Sequence, residues 1–431
     1  RRLCRIARIG SGCQTFTAQT FTGPSDGSDC YTLTMESPRF EPLVLKWARE
    51  SRFGPKTDTL TAQWAGSWTD LSPTLIAEWE RGIGQPTFAQ IKKLAEIYKR
   101  PPAVFFLDSP PQEKQNPPDL RTIGSRDNKT LSPEALLAIR KARRIQEIAA
   151  SLSDDLGEKL SFKYQRLTLR ENASELGERI RADLSISAKD QFECRKFDDF
   201  FEYLREKIES TGVLTLKSGL QDSFPTADCR AFSFADQLPY LILVNNKDFE
   251  GAKNFSLAHE LAHILLREPG ICNNYKSFGQ LKSVSKVEVF CNQFAASFLV
   301  PSRELAAHRL LRGRATMPSE EIDQVAERIA LDFKVSRVVI IRRLLTLGLI
   351  PLSLYNAKTK AWKEEVAPPR KGGGGFSLTT ALKKNGTAFS ALVMQAYQKR
   401  KLSYAGASDY LGLKTKHLRG LEKLIDLHAT G

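Results

Sequence analysis

A helix built from residues 255–266, Phe-Ser-Leu-Ala-His-Glu-Leu-Ala-His-Ile-Leu-Leu, belongs inside a domain. Apolar side chains at Phe255, Leu257, Leu261, Ile264 and Leu265 take up most of its circumference. His259 and His263 are four residues apart, so both imidazoles leave that helix from one face and can share a single metal ion. Glu260 sits one residue round, where its carboxylate can reach a water on the ion without binding the ion itself. The chain has only five histidines, so chance accounts poorly for His-Glu-x-x-His. Two histidines satisfied on an ordinary helix remain the competing reading.

Two imidazoles do not complete a catalytic metal site. Catalytic zinc takes three protein ligands and keeps a position for water, and two histidines with one glutamate is a known set. The next candidate lies in residues 287–301, Val-Glu-Val-Phe-Cys-Asn-Gln-Phe-Ala-Ala-Ser-Phe-Leu-Val-Pro. Val287, Phe290, Cys291, Phe294, Ala295 and Phe298 make a helical apolar stripe, with Glu288 and Asn292 four apart at its edge. A carboxylate entering so apolar a helix is costly to bury unless a positive charge meets it, which a metal would supply. The alternative is a Glu288 that faces water.

The run Phe-Ser-Leu-Ala-His-Glu-Leu-Ala-His-Ile-Leu-Leu, followed by Glu-x-x-Cys-Asn-x-Phe-Ala-Ala-x-x-Leu-Val-Pro, resembles the ImmA/IrrE family of zinc-dependent metallo-endopeptidases. Cys229-Arg-Ala-Phe232 and the segment from Pro239 to Asn245 resemble the two strands before the motif helix in that family. The resemblance implies that His259, His263 and Glu288 hold zinc, with manganese as the alternative ion, and that Glu260 is the catalytic base. Relatives cleave a repressor under stress or during mobile-element induction, which implies a protein substrate, a DNA-bound regulator. The family usually has alanine where Cys291 stands. That thiol, one helical turn from Glu288, reads as a plain core cysteine, with a redox role as the alternative.

Residues 35–108 read as a compact all-helical domain. Residues 40–49 form an amphipathic helix with Leu43, Trp47 and Ala48 inward. Ser72 suits an N-cap, Pro73 a first helical turn and Gly82 an exit, and Gln85-Pro86-Thr87 opens a helix through Ile91, Leu94, Ala95 and Ile97. The run Trp-Glu-Arg-Gly-x-x-Gln-Pro-Thr-x-x-Gln-x-x-x-Leu-Ala, from Trp79, resembles the repressor-like helix-turn-helix domain of the Xre type. That resemblance makes residues 73–79 the recognition helix, with Ser72, Thr74 and Ala77 toward base edges of double-stranded DNA and Arg81 toward phosphate. Residues 56–70, with Trp64 and Trp68, are long for the helix that should precede it. Residues 35–110 carry 10 Lys/Arg against 9 Asp/Glu, little charge for neutralising phosphates. A fold kept for contact with a protein partner is the alternative.

Residues 109–131 form a Pro-rich linker, and residues 132–365 the peptidase domain. Ser132-Pro133 caps a helix through Leu136, Ile139, Ile145 and Ile148, with Arg140, Lys141, Arg143 and Arg144 on its outer side. Helices at 173–184 and 198–211 precede strands near 213–216, 230–234 and 240–244, so a small sheet backs the metal helix. Residues 302–352 read as helical, with His308 read as a surface histidine and an extra polar group for the site as the alternative. A Gly-rich linker at 366–377 leads to a basic helical unit at 378–431, which holds Lys399, Arg400, Lys401, Lys414, Lys416 and Arg419. Residues 351–431 hold 14 Lys/Arg against 5 Asp/Glu, a charge that attracts nucleic acid or an acidic partner, or is simply solvated. Residues 1–34 lack periodicity and precede the first methionine, Met35. We read them as a disordered extension upstream of the biological start.

No apolar run reaches the length of a membrane span, and seven cysteines without pairing spacing fit a reducing cytoplasm. The expected fold class is α+β and mostly helical: an N-terminal all-α helix-turn-helix domain, a zincin-like domain with a small sheet, and a C-terminal helical unit. The expected function is a zinc-dependent endopeptidase. Its rivals are a DNA-binding regulator or toxin–antitoxin component with an inactive or structural metal site, and a scaffold acting through its C-terminal helices.

Overall fold

The computed structural model describes residues 39–53, 71–111, 131–219, 224–268, 270–272, 286–364 and 378–421. The expectations for residues 1–34, for the 56–70 helix and for the 366–377 linker lie outside them, as does nearly all of the 109–131 connector. The chain divides into two compact units, residues 1–48 with 62–111 and residues 49–61 with 112–431.

The smaller unit is helical. It holds the start of α1 (Pro42–Phe53), then α2 (Pro73–Glu80), α3 (Phe88–Tyr98) and a 3-10 turn at Pro102–Phe106. Val44, Leu45 and Ala48 are buried, whereas Leu43 is 61% exposed, correcting the inward placement of Leu43. The buried stripe runs through Val44, Leu45 and Ala48, which puts Leu43 on the opposite side of the helix. Ile76, Trp79, Ile91, Leu94, Ala95, Tyr98 and Phe105 complete this core. Thr87 and Gln90 form a reciprocal capping box at the start of α3: the Thr87 amide donates to Gln90 Oε1 at 2.7 Å, and the Gln90 amide donates to Thr87 Oγ1 at 3.3 Å.

The larger unit is organised around a four-stranded sheet. Before it come α4 (Pro133–Leu156), α5 (Ala173–Asp183), α6 (Ala188–Glu193) and α7 (Phe197–Glu209). Strands β1 (Val213–Lys217), β2 (Ala231–Phe234) and β3 (Tyr240–Val244) lead into α8 (Glu250–Leu266), then β4 (Gly270–Cys272) and α9 (Lys286–Leu299). The chain continues with α10 (Ser302–Ala306), α11 (Ile322–Phe333), α12 (Arg337–Thr346) and α13 (Leu352–Glu364), and then α14 (Leu378–Asn385), α15 (Thr387–Gln398) and α16 (Tyr404–Leu411). The strand order is β1-β3-β2-β4, with β1 and β3 parallel and the other pairs antiparallel.

Because side chains alternate along a strand, the sheet has two apolar faces. Val213, Ala231, Ile242 and Val244 join the core formed by α5, α7, α8, α9, α11 and α12. Leu214, Leu216, Phe232, Phe234, Leu241 and Leu243 join a second core with Ala138, Ile139 and Ala142 of α4 and with Phe389, Val393 and Met394 of α15. The helices after residue 377 therefore cover one face of the sheet, while the motif helix α8 lies on the other. Arg143 corrects the reading of a solvated basic face on α4. It is buried, its guanidinium lies 2.9 Å from both Asp236 oxygens and 3.9 Å from the Phe234 ring, and it ties α4 to the end of β2.

Helix α9 is held closely at both its flank and its end. A Cβ at Gly177 on α5 would lie 2.5 Å from the Phe294 carbonyl oxygen and 2.9 Å from the Phe298 nitrogen, so only glycine lets the two backbones approach this far. The last carbonyls of α9 receive side chains in place of the next helical turn. Arg181 donates to Phe298 O at 3.0 Å, Gln191 to Leu299 O at 3.1 Å and Arg343 Nε to Val300 O at 2.8 Å. Gly177→Ala is expected to lower the unfolding free energy by about 1–3 kcal/mol, read by denaturant unfolding, because backbone atoms cannot swing aside. An unchanged midpoint would show that the helices are not in this contact.

Candidate metal centre

Helix α8 is buried from Gly251 to Leu266, as its sequence requires. At its start a Cβ on Gly251 would meet the Val335 carbonyl carbon at 2.9 Å, and Asn254 Nδ2 donates to Lys334 O at 2.8 Å. At its end Arg267 takes a left-handed conformation (φ 57°), donates to Tyr164 O at 2.8 Å and lies over the Phe162 and Tyr240 rings. Both ends are fixed, so the rotation of α8 about its axis is fixed as well.

That rotation brings His259 Nε2 within 3.1 Å of His263 Nε2. Helix α9 brings Glu288 to the same point, with Oε2 3.4 Å from His259 Nε2 and Oε1 3.3 Å from His263 Nε2. Donors bound tetrahedrally to one ion at ~2.0–2.1 Å stand about 3.3 Å apart. These separations of 3.1–3.4 Å are therefore those of three corners around an ion. Burial alone would raise the Glu288 carboxyl, but the His259 and His263 imidazoles beside it hold it well below the usual carboxylate range. The acid thus enters the site as an anion. Both histidines are almost fully buried, while the Glu288 side chain is 26% exposed.

Glu260 is fully buried, which is costly for a carboxylate without a partner. Ser233 of β2 donates its hydroxyl to Oε2 at 2.7 Å, whereas Oε1 has no hydrogen-bond partner among the described residues. An orphaned carboxylate oxygen on the residue next to His259 in α8 fits a site that takes up a metal with its water. The sequence reading missed Ser233. Its signal was a lone hydroxyl between Phe232 and Phe234, paired across the ladder with Ile242. Ser233→Ala is expected to lower kcat about 10–100-fold with zinc content unchanged, because it frees the carboxylate to turn. Unaltered turnover would remove Ser233 from the mechanism.

Of the other candidate residues, Ser72, Thr74 and Arg81 are exposed on and beside α2 and Ala77 is half-buried, in the smaller unit. Arg81 Nε donates back to Ala77 O at 3.2 Å. His308 is buried, with Nε2 3.0 Å from Asp332 Oδ2, so its assignment to the surface is corrected: a carboxylate 24 residues downstream partners it. Asn292 is buried one turn beyond Glu288, and its Oδ1 has no hydrogen-bond partner among the described residues. Cys291 is fully buried and places its sulfur among the histidines, with the ligand atoms of His259, His263 and Cys291 all within 4.8 Å of one another. Burial pushes its thiol up, against an opposing pull from His263.

Residues 210–345 match the family model described as the IrrE N-terminal-like domain, a metal-dependent peptidase family. The matched stretch includes β1, β2, β3, α8 and α9, and so all four residues of the cluster. No curated protein and no solved structure matches the chain. Among the described residues, no helix is long and apolar enough to cross a membrane.

Proposed function

We propose that the chain is a zinc-dependent endopeptidase that cleaves a transcriptional repressor in the cytoplasm, in a stress or mobile-element response, with α2 as the reading helix of a fused DNA-binding domain. The observation that carries this reading is the convergence of His259, His263 and Glu288 at 3.1–3.4 Å, on the helix whose Glu260 keeps one buried oxygen without a hydrogen-bond partner among the described residues. Zinc, when bound, supplies Lewis acidity toward the scissile carbonyl and makes water acidic enough to attack at neutral pH. Glu260 Oε1 takes the proton of the attacking water and later delivers it to the leaving amine. The Ser233 hydroxyl keeps Oε2 in place, so the carboxylate presents the same oxygen at both steps. Substrate enters on the Glu288 side, since that side chain is the partly exposed one among the three ligand residues.

The test is incubation of the full, zinc-loaded chain with helix-turn-helix repressors, with products mapped by mass spectrometry. Scission at a defined internal bond, stopped by chelation and restored by zinc, supports the reading. Intact repressors together with tight operator binding by the same preparation would favour a regulator with a non-catalytic metal site.

A further inference from the structure

The donor set is larger than the peptidase reading requires. Glu288 and Cys291 are three residues apart on α9, so they share the face turned toward α8, as His259 and His263 do on α8 from four apart. Each helix therefore offers two donors to one point. The Cys291 sulfur lies within 4.8 Å of ligand atoms of both histidines. A shared zinc ion, with Zn–N ~2.0–2.1 Å and Zn–S ~2.3 Å, needs about 3.6 Å between sulfur and nitrogen. A χ1 rotation of a cysteine moves its sulfur by more than that difference.

We propose that Cys291 is a fourth protein ligand of the zinc, making the resting site two imidazoles, one carboxylate and one thiolate. This rests on the reading of His259, His263 and Glu288 as the metal site. On binding, the S–H bond breaks, the sulfur–zinc bond forms and the proton leaves to solvent. Cys291 is fully buried, whereas the Glu288 side chain is 26% exposed. Zinc can expand to five ligands during turnover, so one exchangeable position remains for water beside the four protein donors. A soft sulfur donor also decides the ion: thiolates favour zinc over manganese, which prefers oxygen donors.

The test is X-ray absorption on the zinc-loaded full chain, with Cys291→Ala and Cys291→Ser alongside, and zinc content measured in each. The expected result is a sulfur shell at ~2.3 Å in the wild type that disappears in both variants, leaving only nitrogen and oxygen neighbours at ~2.0–2.1 Å. Cobalt in place of zinc should show a near-ultraviolet thiolate charge-transfer band that is lost in the same variants. A stoichiometric zinc with no sulfur neighbour overturns the Cys291 assignment and leaves the three-ligand peptidase site standing. A sulfur shell that persists in both variants also overturns it, since another thiol would be the donor. A wild type that binds neither zinc nor cobalt overturns the underlying metal site together with it.

Discussion

Glu260→Gln is expected to lower kcat by about 10²–10⁴-fold while the protein keeps one zinc per chain, the loss typical of removing a positioned general base. The amide has nearly the volume of the carboxylate and can still accept the Ser233 hydroxyl, which now sits 2.7 Å from Oε2, so packing around α8 is preserved. What disappears is the ability of the other oxygen to take a proton. Since Glu260 is fully buried and lies outside the His259, His263 and Glu288 set, zinc content should not move. Steady-state kinetics with parallel zinc analysis separates the outcomes. Wild-type turnover in Glu260→Gln would remove Glu260 from the chemistry. Lost zinc would make it a ligand or a structural support.

Arg343→Met is expected to lower the unfolding free energy of the larger unit by about 3–5 kcal/mol, the scale for removing one member of a buried charged network. The Arg343 side chain is 2% exposed and serves four groups: Val300 O at 2.8 Å, Ser297 Oγ at 3.0 Å, Ser302 Oγ at 2.8 Å and Glu178 Oε1 at 3.2 Å. Methionine fills the volume but donates nothing, so Val300 O loses its side-chain donor and the Glu178 carboxylate is left with the Ser302 amide and hydroxyl. Since α9 carries Glu288, zinc affinity should fall in the same variant. Denaturant unfolding and competition with a chelator read the two effects. An Arg343→Met protein with unchanged midpoint would mean that Arg181 and Gln191 suffice to cap α9.

The motif helix was legible because burial and chemistry shared one stretch: apolar residues on nearly every side of 255–266 left no surface position for the histidines. The three longer strands were legible within a residue or two, since their short apolar runs are bounded by turn-forming residues. The apolar residues on both strand faces also required cover on both sides, yet nothing local said that helices beyond residue 377 supply it. Arg143 was hidden in a run of four basic residues in which only a tertiary partner, Asp236, distinguishes the inward-facing one. Ser233, His308 and the approach of Cys291 to the histidines were hidden for the same reason. Each depends on an atom brought close by packing between elements, which spacing along one element does not encode.

The central claim is that His259, His263 and Glu288 bind one divalent ion between them. Metal analysis of the purified full chain, with His263→Ala of unchanged circular dichroism beside it, tests that claim directly. The account predicts about one zinc per wild-type chain and almost none in the variant, as expected when a catalytic site loses one of its few protein ligands. Wild-type protein that takes up no divalent ion, or a His263→Ala chain that retains its zinc in full, would contradict it.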